Sequence, residues 1–96
     1  MQRLTESPLE AKVEEMAALF FTLADIALFT GIDEEDLRSM ILSNPSCPVS
    51  EAYRRGKLRT KIMLRFDSLN YALHGSPQAL AEMKEHLADQ QIDENA

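Results

Sequence analysis

The stretch Thr22–Ile41, "TLADIALFTGIDEEDLRSMI", has the layout of two helices joined by a tight turn. Thr22 and Asp33 are residues that cap helix starts, because a side-chain oxygen can accept a backbone N–H of the first turn. Gly31 between them can take the left-handed backbone that ends a helix. Ala27 is small where two helices must cross. Ile26, Ile32, Leu37 and Met40 are apolar where the second helix must lock over the first. Thr30, at a place where such units often carry leucine, is the one departure. The reading is a helix-turn-helix, with a short helix from Leu23 to Phe29 and a second one from Asp33 to about Ser43.

That second helix opens with Asp33, Glu34, Glu35 and Asp36. Four carboxylates suit the positive end of a helix dipole. They also oppose a phosphate backbone, whose neutralisation by cations supplies most DNA affinity. Arg38 and Ser39, with Asn44 beyond them, are the side chains left for base edges.

Working outward, Ser7-Pro8-Leu9-Glu10 reads as a capped helix start, with Ser7 as cap and Pro8 as first helical residue. Val13, Met16, Ala17, Phe20 and Phe21 recur at helical spacing, which predicts a first helix ending at about Phe21. After the breaker Asn44-Pro45-Ser46-Cys47-Pro48, a long helix is expected from Val49 to about His74, with Gly56 as its weak point and Gly75 as its terminator. Ser76-Pro77 starts a last helix with Ala79, Leu80, Met83 and Leu87 as its apolar stripe, and the acidic end Ile92–Ala96 is expected to fray. Glycine is scarce and no alternating run suggests a strand. The expected fold is all-α, a small helix-turn-helix bundle followed by a long helix and a short return helix. Ninety-six residues make one domain. Its regions are expected to divide at the proline loop into 1–46, with the helix-turn-helix, and 47–96, the long basic helix and the C-terminal helix, as part of one compact domain or as an oligomerisation arm.

The net charge of −6 is unevenly spread. Residues 1–46 carry three basic and nine acidic side chains, residues 47–75 six and two, and residues 76–96 one and five. Fields act over a Debye length of about 8 Å at physiological salt, so the middle segment is the part suited to phosphate. There Arg54, Lys57, Lys61 and Arg65 are spaced three, four and four apart, one stripe on a helix, with Arg55 and Arg59 beside it. A solvated face that balances acidic helices of the same domain is the competing reading of this stripe. The same helix carries two apolar lines. One is Ala52, Tyr53, Gly56, Met63, Phe66 and Leu73; the other is Leu58, Ile62 and Leu69. Two lines exceed what one neighbour needs, so a second helix or a second subunit is expected against them.

Two local patterns, "ADIALFTGIDEEDL" and "AYRRGK" followed by "ALHGSPQALAEMKEHL", resemble the small terminase subunits of tailed phages and prophages. The likeness covers roughly Leu23 to Leu87. It implies recognition of viral DNA at the packaging start, ring-like oligomerisation, and regulation of a large ATPase–nuclease subunit. By position it implies DNA contacts for Arg54, Arg55 and Lys57 and, in the helix matching the recognition helix, for Arg38 and Ser39.

Catalysis and metals are not expected. Cys47 is the only cysteine, and His74 and His86 are far from it in sequence. One cysteine and two scattered histidines do not form a zinc site. Asp33–Asp36 lacks the alternating ligands and internal glycine of a calcium loop. A single cysteine, no apolar leader at Met1–Glu6 and no membrane-length apolar run lead to the expectation of a cytoplasmic protein without cofactors or membrane attachment. The functional expectation is a non-catalytic, oligomeric, DNA-binding protein of the small-terminase kind, with the grip supplied by Arg54, Arg55, Lys57, Arg59, Lys61 and Arg65. A protein-interaction module built on a helix-turn-helix scaffold, or a small transcription regulator, are the alternatives.

Overall fold

The computed structural model describes residues 8–96, and the described residues are all-α. Five helices follow in order: α1 (Leu9–Ala18), α2 (Leu23–Thr30), α3 (Glu34–Ser43), α4 (Pro48–Leu73) and α5 (Pro77–Glu94). None is long and apolar enough to cross a membrane.

The helix boundaries follow from local chemistry. Pro8 takes the capping position of α1 instead of the first helical one, and the expected cap Ser7 lies outside the described residues. Thr22 caps α2 by accepting the Asp25 N–H at 3.2 Å. Asp33 caps α3 by accepting the N–H groups of Glu35 at 3.2 Å and Asp36 at 3.4 Å. Ser76 caps α5 by accepting the Ala79 N–H at 3.3 Å. Gly31, at φ 80°, closes α2 as expected. Thr30 finds its use here: its hydroxyl donates to the Ile26 carbonyl at 2.7 Å, a bond no leucine could make.

Other boundaries differ from what the sequence predicts. α1 stops at Ala18, not Phe21, because Phe20 turns into left-handed backbone at φ 61°. Phe20 N–H then donates to Ala17 O at 3.0 Å and Phe21 N–H to Met16 O at 3.1 Å. This is the hydrogen-bond pair of a Schellman stop. Gly75, at φ 97°, ends α4 with the same pair, donating to Ala72 O while Ser76 donates to Tyr71 O. The start of α4 falls at Pro48, one residue early, because Cys47 acts as a cap: its Sγ accepts the Ser50 N–H at 3.4 Å. α5 stays helical to Glu94, through the segment expected to fray.

The chain forms two compact units, the first reaching to Thr60 and the second spanning Lys61–Ala96. This boundary lies within α4 and not at the proline loop. The first half of α4 belongs with α1–α3, and its packing shows why. Val49 and Ala52 of α4 join Val13, Met16, Ile26, Ala27, Leu37 and Ile41 in one buried cluster. Ser50, fully buried, donates its hydroxyl to the Ile41 carbonyl at 3.2 Å, satisfying an orphan acceptor at the end of α3. Gly56 is no weak point. A Cβ there would overlap the Glu14 carbonyl oxygen and sit 3.0 Å from the Ala17 Cβ, so the missing side chain is what lets α1 and α4 meet. The Thr60 hydroxyl also bonds to the Ala18 carbonyl.

The second unit is a helical pair made of the rest of α4 and α5, with Ser68 Oγ donating to Glu82 Oε2 at 3.2 Å. Ala79 is its buried hydrophobic residue, and Leu80 and Leu87 of the expected α5 stripe stay exposed. Of the two apolar lines of α4, the first changes from buried to exposed at Thr60, and the second, Leu58, Ile62 and Leu69, is exposed throughout. Ala52 and Gly56 are buried and Tyr53 half-buried before Thr60, whereas Ile62, Met63, Phe66, Leu69 and Leu73 are exposed after it.

Candidate nucleic-acid interface

The six cations expected on one helix do lie on α4, but their surroundings separate them. Arg55 and Arg59 face α1. Arg55 Nη1 lies 2.9 Å from Glu14 Oε1, Arg59 Nη1 3.1 Å from Glu14 Oε2, and Arg59 Nη2 2.8 Å from Glu15 Oε1. The hydrogen bond that Arg59 donates to Glu15, followed by the nearby Glu15 and Glu14 charges, raises the Arg59 pKa above its ordinary value. These two arginines therefore act as the balancing face that a charge stripe often is. The carboxylates involved are more than forty residues away in sequence, a distance at which no local pattern announces the pairing.

The other four are less committed. Arg54 donates to the Pro45 carbonyl and so braces the loop before α4. Lys57 is half-buried, with Nζ 5.3 Å from the centroid of the Tyr53 ring, a cation–π distance. Lys61 and Arg65, in the second unit, are exposed and have no ion pair among the described residues. They stand one helical turn apart, with a rise of about 6 Å, flanked by exposed Ile62 and Phe66.

On α3, Arg38 Nε lies 3.6 Å from Glu34 Oε2 on the same helix face, and Ser39 is exposed. The first turn carries Glu34, Glu35 and Asp36 exposed, with Asp33 engaged as the cap. The residues that shape the helix-turn-helix are placed as expected: Ile26, Ala27 and Leu37 are buried, and Ile32 and Met40 pack against them.

A feature that the sequence does not predict lies at the α2–α3 turn. Ala24, Ala27, Leu28, Gly31 and Ile32 line an open groove whose rim is Asp33 and Glu34. Leu28 is 85% exposed, higher than any other large hydrophobic side chain described. The helical recurrence of Ala24, Leu28 and Gly31 is a legible signal, but burial of such a face is the ordinary assumption.

Among the described residues, no group of three His, Cys, Asp or Glu side chains is placed to hold a metal ion. The Cys47 thiol is half-buried and engaged locally with the Ser50 N–H and the Met40 carbonyl. No protein-family model, curated protein or solved structure matches the chain.

Proposed function

We propose that this chain is a non-catalytic, oligomeric DNA-binding protein of the terminase small-subunit kind, taking part in recognition of viral or prophage DNA for packaging. The observation that carries the reading is the pair Lys61 and Arg65, exposed on α4 and without a carboxylate partner among the described residues. A cation without an internal partner can release counterions from phosphate, whereas one already held by a carboxylate must first give that up. Lys57 and Arg54 extend the basic line along the same helix. Arg55 and Arg59, in this reading, contribute mainly by holding α1. The likeness of "AYRRGK" to small terminase subunits supports the same assignment and names a large ATPase–nuclease subunit as the protein partner.

Self-association is part of the proposal. The second unit exposes Ile62, Phe66 and Leu73 and buries little. Units of under about 40 residues seldom bury enough surface to stand without further contacts. DNA contact through α3 is secondary, because its carboxylates oppose phosphate and Arg38 is engaged with Glu34.

The test is a titration of duplex DNA at several salt concentrations. Binding is expected, with log K falling linearly against log salt. The combined Lys57→Ala, Lys61→Ala and Arg65→Ala variant should lower that slope by about 0.9 for each phosphate it no longer neutralises. An unchanged slope would sink the assignment of these cations. A stable oligomer that binds no DNA even at low salt would favour the second reading, a protein-interaction module, to which the acidic first turn of α3 points.

A further inference from the structure

The exposed groove between α2 and α3 and the exposed strip of α4 after Thr60 are opposites. The groove has an apolar floor, Ala24, Leu28 and Ile32, and an acidic rim of Asp33, the cap of α3, and Glu34, which lies 3.6 Å from Arg38. The strip has Ile62 and Phe66, 59% and 71% exposed, running beside Lys61 and Arg65. Apolar side chains one turn apart can enter an apolar groove, and cations at the same spacing can meet carboxylates at its rim. Water covers neither surface at low cost: Leu28 on one side and Phe66 on the other each leave large apolar areas exposed. The acidic rim also opposes the competing occupant that a helix-turn-helix would otherwise suggest, a DNA backbone.

We propose that the α2–α3 groove is a docking site for the Lys61–Phe66 strip of a second copy of this chain. The contact joins two different surfaces, so it is head-to-tail, and at each end of an open assembly one groove or one strip stays free. It rests on the self-association proposed above and gives it a surface. Lys61 and Arg65 then serve either a neighbouring copy or phosphate, and the two uses exclude each other at a given site.

The experiment is mass measurement by light scattering, without DNA, on three proteins. The wild type is expected to form species larger than a dimer as concentration rises. A groove variant, Leu28→Ser with Glu34→Gln, and a strip variant, Lys61→Gln with Ile62→Ser, are each expected to remain monomeric. All four positions are exposed, and circular dichroism checks that the helices persist; Leu28→Ser alone replaces the groove pair if they do not. Mixed in equal amounts, the two variants should form a dimer and nothing larger, since together they supply one intact groove and one intact strip. Such complementation requires both chains to be folded. A wild type that assembles alongside variants that fail to complement, or that assemble unaided, would overturn this contact alone. A wild type that is monomeric at every concentration would overturn the self-association as well, while leaving the DNA titration to stand or fall separately.

Discussion

Gly56 on α4 lies against the backbone of Glu14 on α1, so close that a methyl group on Gly56 would overlap the Glu14 carbonyl oxygen. The obstacle is backbone, which cannot swing aside as a flexible side chain can. Glycine in a helix costs about 1 kcal/mol against alanine, and here that cost is offset by the contact it allows. Gly56→Ala is therefore expected to destabilise the protein by about 1–3 kcal/mol despite its better helix propensity. In a domain of this size each kcal/mol lowers Tm by roughly 4–8 °C, which a thermal melt resolves. A melting temperature at or above that of the wild type would mean that the two helices do not cross so closely.

Phe20 holds a position that glycine holds at the end of α4. Both Phe20 and Gly75 have positive φ and both complete the same hydrogen-bond pair. An L-residue other than glycine meets a penalty of about 1–2 kcal/mol in that conformation. Comparing Phe20→Gly with Phe20→Ala isolates it, because both remove the same ring. The glycine variant is expected to be the more stable of the two by about 1 kcal/mol, measured by denaturant midpoints. The reverse order would place Phe20 outside the left-handed region.

Ser50 is a buried hydroxyl whose bond to the Ile41 carbonyl ties the end of α3 to the start of α4. Ser50→Ala fits the space but leaves that carbonyl buried without its partner, at a cost of about 1–3 kcal/mol. Urea unfolding should show a lower midpoint with an unchanged slope. A neutral substitution would imply that the Ile41 carbonyl is satisfied in some other way.

The cations of α4 should separate into two classes when changed singly to alanine. Lys61→Ala and Arg65→Ala are expected to weaken DNA binding, with little change in melting temperature. Each should also reduce the salt dependence by about 0.9 in slope for every phosphate left unneutralised. Arg59→Ala should act the other way, loosening α1 with a smaller effect on the salt slope, because its guanidinium is held by Glu14 and Glu15. Equal salt slopes for all of these variants would remove the distinction.

Much of the fold is legible in the sequence because helix ends are local events. Thr22, Asp33, Ser76, Gly31 and Gly75 announce their caps within four residues of the groups they satisfy. Phe20 shows the limit of that logic. Nothing in a pair of phenylalanines signals a left-handed stop, and their helical spacing with Val13 and Met16 argues for continuation. Cys47 invites a reading by its reactivity, yet it serves as a cap. For the candidate site, the residue types and their helix are readable, but not which cations are already taken.

By itself, then, the sequence determined the elements: five helices, most of them capped by their own neighbours, a tight α2–α3 turn around Ala27 and Gly31, and a helix rich in cations. Those properties depend on hydrogen bonds and periodicity within a few residues. Only the tertiary structure decided that Arg55 and Arg59 pair with carboxylates of α1, that Lys61 and Arg65 do not, and that the unit boundary falls within α4 after Thr60. It also decided that Gly56 is a contact and Leu28 an exposed wall of a groove. Each of these depends on which helix arrives opposite a given face. Spacing along one helix defines a face, and only its neighbours settle whether that face is buried, neutralised or left open.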